Sequence, residues 1–388
     1  MGYIRQDVEL ISFDLKSKNQ ILVNPRLSAE ELKVILELKE EFEKEFGIYD
    51  YVLVPSSGSS KKIGQSVKLI ALQVSRILNS ANRVNHYLKA TDQDHWGLVL
   101  PEFHVAGIGV LARAYLMLSK VFKFDWSPQH LITNLEKNNI SYLSLVPAQV
   151  FDLIQSEIKA PSCLKKVFVG GGALTFEQRR LIVQLGWPVV ETYGMTETSS
   201  MIAVREKDND LFHLLNNVYV KSENKKLSIR CDSLLTATVQ KLDEKIEIKY
   251  YDDNSWYQSE DQVDLINMNS EVYLRFLGRD QDYFKILGEG VSLAELRGLL
   301  GEIVMSYKLP VLSFEVVDVE DARSGTRLFL AAEKTVKSDL VEKVFQDFNR
   351  KCRPYEKLKQ VVMLDKIPRT DLGKLKFENL KALIVELI

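Results

Sequence analysis

The chain has 388 residues, 46% hydrophobic and 27% charged, with a formal net charge of −2. That length is enough for two or three domains with sizeable cores, and the near-neutral charge gives no electrostatic case for nucleic acid or an anionic membrane as partner. The three cysteines are odd in number and lack CxxC spacing, which argues against a disulfide framework or a zinc site. Because the sequence also shows no signal-peptide core and no membrane-length apolar run, we expect a cytoplasmic protein.

The first clear elements are a capped helix and a strand. Ser28 and Glu31 have the spacing of a capping box, and Gly47 is a plausible helix end. The apolar run 51–54 predicts a strand that Pro55 ends. A helix over 73–87 and a strand over 97–100 follow.

Between these elements lies a hydroxyl-rich segment, Ser56–Lys62, with four serines, one glycine and two lysines. The glycine would let backbone N–H groups approach phosphate oxygens, the hydroxyls would donate, and lysine would supply charge. It is not a Walker A loop, because GxxxxGK[ST] is absent. A flexible surface loop is the alternative.

His104 lies between Phe103 and the small residues of a helix start, where it could line a pocket. A single histidine is more often a hydrogen-bonded structural residue, and that alternative stays open. Arg113, one helix further on, could meet a carboxylate or could be a solvated helix residue.

The middle of the chain alternates between strands and helices. The predicted strands are 121–124, 142–146, 167–169 and 189–193, and the predicted helices are 128–138, 147–157 and 175–185. This alternation predicts a mostly parallel sheet with helices on its faces. The third strand runs into Gly170–Ala173, where backbone without side chains would let a flat ring lie close; a tight turn is the alternative.

The stretch 189–198 is apolar at first and then polar. This pattern is typical of strand ends in open α/β sheets, where ligands bind beyond the carboxyl ends of the strands. Tyr193 offers a flat ring face, and Thr196 and Thr198 could donate to phosphate oxygens. Glu197 could hold a hard cation such as Mg²⁺. A strand followed by a capped turn is the structural alternative.

The last part of the chain has a different sequence pattern. Residues 218–276 predict an antiparallel β subdomain, in which Asp261 could accept from ribose hydroxyls or cap a turn. The charged segment 278–282 reads as a domain junction, followed by a hairpin over 283–291. The remaining predicted elements are helices 292–306 and 338–351 and strands near 311–319, 327–334 and 359–364. Lys374, beside a glycine on a late loop, has no special meaning alone.

Six motifs in order between residues 56 and 374 resemble the adenylate-forming acyl-CoA synthetase (AMP-binding) superfamily. They are the Ser/Gly loop, Gly-Gly-Gly-Ala, Tyr-Gly-Met-Thr-Glu, Tyr-x-Ser-x-Asp, Gly-Arg-x-x-Asp and a terminal Gly-Lys. Within the superfamily, the run 100–111 and Gly-Glu-Gly-Val at 288–291 look most like the o-succinylbenzoate–CoA ligases of menaquinone biosynthesis.

The resemblance implies an α/β fold with a large N-terminal domain, 1–278, and a smaller mobile α+β C-terminal domain, 279–388. The larger one would combine a parallel α/β part, about 1–200, with a β-rich part, about 201–278. The implied activity is acid–CoA ligation with ATP, Mg²⁺ and coenzyme A. A carboxylate attacks the α-phosphate of ATP to give an acyl-adenylate and pyrophosphate, and the CoA thiol then displaces AMP.

The resemblance also implies a role for each site residue. The phosphate-binding set is Ser56, Ser57, Gly58, Ser59, Ser60 and Lys62. Gly171, Gly172 and Tyr193 would sandwich the adenine, and the further cofactor-binding residues would be Ala173, Thr192, Gly194 and Met195. Thr196 would meet the α-phosphate, Glu197 the Mg²⁺, and Asp261 and Arg279 the ribose. His104 would border the acyl site.

Lys374 would bridge the acyl carboxylate and the α-phosphate in the first half-reaction. The C-terminal domain would then rotate near Gln281 and exchange Lys374 for the segment around Lys285 and Gly288.

The sequence departs from the family pattern in three places and in length. Lys61–Gly64 replaces Gly-x-Pro-Lys, so Lys61 or Lys62 is expected to substitute for the usual lysine. Gln281 stands at the hinge where Asp or Lys is usual, and Glu260 replaces a glycine. Only 55 residues precede the phosphate loop, so we expect a reduced first subdomain, with an acyl pocket that is more open or completed by a second subunit.

Two alternatives remain: a ligase for another aryl or short-chain acid, and a non-catalytic nucleotide-binding relative. The presence of Thr196, Glu197, Asp261, Arg279 and Lys374 at the motif positions favours an enzyme.

Overall fold

The computed structural model describes residues 9–10, 20–21, 24–25, 28–47, 50–56, 68–206, 209–242, 245–279, 282–287, 289–321, 325–370 and 373–388. In these ranges the strands are β1 (Glu9–Leu10), β2 (Gln20–Ile21), β3 (Tyr51–Ser56), β4 (Lys68–Gln73), β5 (His95–Leu98), β6 (Val121–Lys123), β7 (Ile140–Leu145), β8 (Lys166–Val169), β9 (Val189–Met195), β10 (Ser200–Arg205), β11 (Phe212–Leu214), β12 (Val218–Glu223), β13 (Lys226–Cys231), β14 (Ala237–Leu242), β15 (Lys245–Tyr250), β16 (Tyr257–Met268), β17 (Glu271–Arg279), β18 (Tyr283–Ile286), β19 (Glu289–Ser292), β20 (Phe314–Asp321), β21 (Gly325–Glu333) and β22 (Leu358–Leu364). The α-helices are α1 (Ala29–Phe46), α2 (Val74–Leu88), α3 (Val105–Met117), α4 (Pro128–Lys137), α5 (Pro147–Gln155), α6 (Phe176–Gln184), α7 (Leu293–Ser306), α8 (Ser338–Lys351) and α9 (Phe377–Leu387).

A parallel α/β layer forms the centre of the main sheet. Strands β6, β5, β7, β8 and β9 are neighbours in that order and run parallel. Side chains alternate across it: Phe168 packs in one core with α2 and α3, whereas Val167 and Val169 pack in another with α4, α5 and α6. Helices therefore cover both faces, and the strands bury apolar side chains on both sides, as the alternating sequence pattern predicted.

The antiparallel strands continue this same sheet. Strand β10 pairs antiparallel with β9, and β11, β17, β16, β13 and β12 follow in order to give a 12-stranded sheet. Strands β14 and β15 instead join β4, β3 and β2 in a five-stranded sheet. The end of β9 and the strands β16 and β17 therefore belong to one continuous sheet.

Helix α1 covers the five-stranded sheet. Ser28 accepts from the Glu31 backbone N–H, and the Glu31 carboxylate accepts from the Ser28 N–H, so the predicted capping box is formed. Strand β3 continues through Pro55, predicted to end it, because its pairing with β4 extends to Ser56 opposite Lys68. Lys68 thus lies directly across the ladder from the start of the hydroxyl-rich segment.

The last third of the chain has its own cores. Strands β20, β21 and β22 form a three-stranded sheet, and β18 and β19 form the predicted hairpin. Two hydrophobic clusters here contain only residues between 284 and 384, whereas the other clusters contain only residues up to 274. No helix among the described residues is long and apolar enough to cross a membrane.

Candidate active site

Two glycine-containing turns shape the carboxyl ends of β8 and β9. A Cβ on Gly170 would lie 2.5 Å from the Thr192 hydroxyl, and that hydroxyl donates to the Val169 carbonyl at 3.3 Å. A Cβ on Gly194 would lie 2.2 Å from the Ser200 carbonyl oxygen. Both positions therefore exclude a side chain, and Gly171 and Gly172 are left as exposed backbone beside the end of β9.

A polar cluster around the Asp261 carboxylate includes Tyr193, at the end of β9. The Tyr193 hydroxyl donates to Asp261 Oδ2 at 2.5 Å, and Arg279 Nε donates to Asp261 Oδ1 at 3.2 Å. The Asp261 backbone N–H donates to the buried Ser259 hydroxyl, which fixes the local strand. Burial, followed by the Asp261 charge, raises the pKa of Tyr193 well above its ordinary value. Tyr193 therefore stays a neutral donor, and the carboxylate is held on both oxygens.

A second cluster surrounds Glu197. Its Oε1 atom accepts from the Tyr257 hydroxyl at 3.1 Å and lies 3.6 Å from Lys68 Nζ. Burial, with the Glu197 charge next, raises the pKa of Tyr257. Glu197 thus faces a lysine and a neutral hydroxyl, and a 3₁₀ turn over Thr196–Thr198 holds it there.

Lys374 brings the C-terminal part of the chain to these clusters. A Cβ on Gly171 would lie 3.6 Å from Lys374 Cε, and one on Gly373 would lie 3.7 Å from Ala148 Cβ at the start of α5. Lys374 is exposed to solvent. The protein around it nevertheless lowers its pKa, first by desolvation and then by the charge of Arg279, against the opposing charges of Glu197 and Asp261.

The structure therefore brings together most of the described residues predicted for one cleft. They are Gly171, Gly172, Tyr193, Glu197, Asp261, Arg279 and Lys374. Ala173 is exposed beside the glycines, and Met195 and Thr196 follow Tyr193 and Gly194 into the turn.

Thr198 differs from the prediction. Its hydroxyl is fully buried and is 2.8 Å from the Ser200 carbonyl and 3.1 Å from that of Met195. It closes the turn, so it cannot also donate to a phosphate.

His104 lies just before α3 and Arg113 lies within this helix. His104 is the N-cap of this helix, its carbonyl accepting from Gly107 and Ile108 and its ring 4.7 Å from that of Phe103. Arg113 is 1% exposed and lies over the rings of Trp96 and Phe168, 5.4 and 5.7 Å from their centroids.

The Arg113 cation has an incomplete set of partners. Its Nη2 atom donates to the Ser200 hydroxyl at 3.1 Å, and its buried Nε has no hydrogen-bond partner. Burial lowers its pKa to about 9. No acidic side chain pairs with it among the residues that the structure describes.

Several predicted site residues lie outside the described residues. They are Ser57, Gly58, Ser59, Ser60, Lys61, Lys62, Gln281 and Gly288, together with the Ser56 side chain. Lys285 is exposed on β18, in the hairpin after the junction. Their proposed roles, like that of His104, stay predictions.

Two residues in the clusters were missed by sequence reasoning. Lys68 and Tyr257 both contact Glu197, from β4 and β16. Tyr257 was detectable, because it is the first residue of the Tyr-x-Ser-x-Asp motif that drew attention to Asp261. No local signal marks Lys68, which reaches Glu197 because β4 packs against the turn over Thr196–Thr198.

A family model described as AMP-binding enzyme matches residues 67–219. The 2-succinylbenzoate–CoA ligase of Listeria monocytogenes is 23% identical over 306 residues, covering 76% of this chain and 62% of that protein. The ligase of the same name from Bacillus cytotoxicus is 26% identical over 417 residues, covering 94% and 83%. The chain spans 62% and 64% of the length of the Listeria and Bacillus subtilis relatives.

Solved structures give the fold. The o-succinylbenzoate CoA synthetase of Bacillus subtilis in complex with its acyl-adenylate intermediate superposes with a TM-score of 0.75 at 20% identity, covering 93% of this chain and 82% of that one. The same enzyme with ATP and magnesium gives 0.73 at 18% identity, covering 94% and 84%. The chain has the fold of an adenylate-forming CoA synthetase, and the resemblance predicted from its motifs is confirmed. The relatives and structures named here are 2-succinylbenzoate–CoA ligases, and the chain is similar to them.

Proposed function

We propose that the chain is an AMP-forming acid–CoA ligase that activates o-succinylbenzoate with ATP and transfers the acyl group to coenzyme A. The observation that carries this proposal is the approach of Lys374 to Gly171. At that position Lys374 lies close enough to Glu197, Asp261 and Arg279 for their charges to shift its pKa. Groups from β9, β16, β17 and the late loop converge there. Such convergence is what stabilising several anions in one transition state requires.

The described residues divide into roles around one nucleotide. Gly171, Gly172 and Tyr193 would flank the adenine, and Asp261 would accept from the ribose hydroxyls beside Arg279. The exposed glycine backbone allows a flat ring to lie close. Because Tyr193 and Arg279 already bond Asp261, the carboxylate would be oriented before the ribose arrives.

The cluster around Glu197, together with Thr196 and Lys374, would bind the phosphates. Thr196 would donate to the α-phosphate, and Lys374 would bridge that phosphate and the acyl carboxylate during adenylation. Lys68 would neutralise pyrophosphate oxygens, a role that the sequence assigned to Lys61 or Lys62. The short contact between Lys68 and Glu197 supports this assignment, because both side chains then face the same phosphate region.

Glu197 fits a magnesium ion as a single carboxylate ligand. No group of three or more His, Cys, Asp or Glu side chains suited to a metal occurs in the described part of the chain. Mg²⁺ is commonly held by one or two carboxylates together with substrate phosphates and water, so one is sufficient. The ion would neutralise phosphate charge when bound with ATP.

Arg113 would recognise the acid. A buried guanidinium without an acidic partner among the described residues is costly, and a substrate carboxylate would supply the missing charge. o-Succinylbenzoate has two carboxylates, so one can be adenylated while the other pairs with arginine. His104, at the start of the same helix, would border this pocket.

The proposed domain boundary is at residue 278. Separate hydrophobic clusters on the two sides support a unit over 1–278 and a smaller one over 279–388. The smaller unit would rotate near Gln281 between half-reactions and bring Lys285 and Gly288 to the cleft. A homo-oligomer remains part of the proposal, since a second subunit could complete the acyl pocket.

A coupled pyrophosphate-release assay with ATP, CoA and a panel of acids tests the function. Turnover with o-succinylbenzoate, and much slower turnover with benzoate and short-chain acids, is the expected result. Turnover only with other acids would reject the substrate but keep the reaction class. No pyrophosphate with any acid would reject the ligase and favour a nucleotide-binding relative.

A further inference from the structure

A chain of ion pairs runs through the C-terminal part from the candidate hinge to the Lys374 loop. Asp282 Oδ2 accepts from the Arg279 backbone N–H at 2.9 Å, and Asp282 Oδ1 accepts from Arg297 Nη1 at 2.9 Å. Arg297 Nε in turn donates to Glu315 Oε1 at 2.7 Å. The residue after the proposed hinge is thus joined to the buried start of β20.

The second half of this chain reaches the loop itself. Glu315 Oε2 lies 3.6 Å from Arg369 Nη2. Arg369 Nε donates to the Leu312 carbonyl at 3.1 Å, and its Nη1 donates to the Gly373 carbonyl at 3.3 Å. One guanidinium therefore holds the backbone on the N-terminal side of Lys374 to the 3₁₀ turn before β20.

We infer that Arg369 is a positioning residue for Lys374, held in turn by Glu315. The inference rests on the proposed function, because Lys374 matters to catalysis only if the chain adenylates an acid. The carbonyl that Arg369 holds belongs to the residue directly before Lys374. A loose loop would let the ammonium leave the phosphate, and a misplacement of about 1 Å can cost roughly 100-fold in rate.

The contacts of Arg369 require the several nitrogens of a planar guanidinium and not only a positive charge. Arg369 uses different nitrogens for Leu312, Gly373 and Glu315, and a lysine ammonium at the end of a flexible stem cannot span all three. Glu315 is 7% exposed and serves both Arg297 and Arg369. Without the Glu315 charge, Arg369 would lose its ion-pair partner and would face the Arg297 cation, which keeps its own partner Asp282, so we expect Arg369 to leave its position.

The loop has internal bonds that report its order. The Gly373 N–H donates to the Thr370 carbonyl at 2.8 Å, and the Lys376 N–H donates to the Pro368 carbonyl at 2.9 Å. Hydrogen exchange at these two amides measures whether the loop is fixed, whether or not the enzyme turns over.

The experiment compares Arg369→Lys and Glu315→Gln with a matched control, Arg350→Lys. Arg350 pairs with Asp347 on the surface of α8, and its side chain is 74% exposed. In both test variants we expect faster exchange at Gly373 and Lys376. Adenylation should fall roughly 10- to 100-fold, while thioester formation from preformed acyl-adenylate should stay within about twofold, because Lys374 acts only in the first step. The control should match the wild type in every measurement.

Wild-type exchange at both amides in Arg369→Lys would overturn the inference, whatever the activity. Faster exchange with equal losses in both half-reactions would also overturn it, since that pattern describes general loosening of the C-terminal part. If the wild-type protein adenylates no acid, the proposed function fails separately. The exchange measurement then decides alone whether Arg369 fixes the loop.

Discussion

The Tyr193 hydroxyl and the Asp261 carboxylate are joined at 2.5 Å, although 68 residues separate them in the chain. This bond ties the end of the last parallel strand, β9, to the antiparallel strand β16. The Tyr193 ring also lies 6.0 Å from Phe212 and 5.9 Å from Phe276, so it is packed from the side as well. Under the proposed function, one residue would therefore contribute both a ring for the adenine and a donor that orients the ribose acceptor.

Tyr193→Phe should separate these two contributions. The ring stays, but Asp261 loses a donor, and a hydrogen bond to a charged group is worth about 1.5–3 kcal/mol. We expect the KM for ATP to rise roughly tenfold with a smaller change in kcat. Steady-state kinetics with varied ATP measure this. Tyr219→Phe, at an exposed tyrosine, is the control, and an unchanged ATP KM in Tyr193→Phe would contradict the assignment.

Glu197→Gln should raise the Mg²⁺ requirement. The substitution keeps the shape and the acceptor for Tyr257 but removes the charge that faces Lys68. We expect the half-saturating Mg²⁺ concentration for pyrophosphate release to rise by about an order of magnitude, because one carboxylate is the sole protein charge assigned to the ion. Glu320→Gln, at an exposed position of β20, should leave the Mg²⁺ curve unchanged. A curve unaltered in Glu197→Gln would remove Glu197 from metal binding.

The lowered pKa of Lys374 predicts an alkaline limit for adenylation. The ammonium is the active form, so the rate should fall as pH rises through a pKa below the ordinary 10.5. In the interval between these pKa values the unfolded chain binds more protons, so this group's contribution to stability rises with pH. Single-turnover profiles for each half-reaction measure the limit. The alkaline limb should be present in adenylation and missing from thioester formation; the same limb in both would assign it to another group.

Arg113→Met should stabilise the free protein while impairing acid binding. Replacing an unneutralised buried charge by an apolar side chain of similar volume often stabilises a protein by about 1–4 kcal/mol. We expect higher stability in urea and a rise in the KM for o-succinylbenzoate of at least roughly tenfold. Arg180→Met, at a surface ion pair, should change neither quantity much. Lower stability together with an unchanged acid KM would show that Arg113 is purely structural.

Two glycine substitutions should have opposite effects on stability. A Cβ at Gly194 would meet the Ser200 carbonyl oxygen at 2.2 Å and Met201 Cα at 2.6 Å, so Gly194→Ala must move backbone. Gly298 lies inside α7 with open space around its Cβ position, and alanine is favoured over glycine in helices by about 1 kcal/mol. Urea denaturation should show Gly194→Ala destabilised by at least about 2 kcal/mol and Gly298→Ala slightly stabilised. A neutral Gly194→Ala would contradict the close packing of this turn.

Much of the fold followed from local chemistry. The capping box at Ser28 and the alternation over 121–193 predicted elements that the structure reproduces, with ends shifted by a few residues. These signals depend on residues near each other in sequence, namely helix caps and the period of apolar side chains. The hairpin after the junction followed in the same way.

The site contacts that could not be predicted from the sequence join residues that are far apart in the chain. Lys68 becomes a partner of Glu197 because β4 packs against the 3₁₀ turn over Thr196–Thr198. Thr198 looks like a phosphate donor in the motif, but the sharp turn into β10 brings two carbonyls to its hydroxyl. The bonds from Arg369 likewise link positions that no local pattern relates.

The most direct test of the central claim is the effect of Lys374→Ala on the separate half-reactions. Rapid-quench measurement of acyl-adenylate formation from o-succinylbenzoate and ATP gives the first, and CoA acylation from preformed adenylate gives the second. The account predicts that adenylation slows at least roughly 100-fold while thioester formation stays near the wild-type rate. Equal losses in both half-reactions, or a wild-type rate of adenylation, would contradict the convergence of Lys374 and the β9 turn on one ATP molecule.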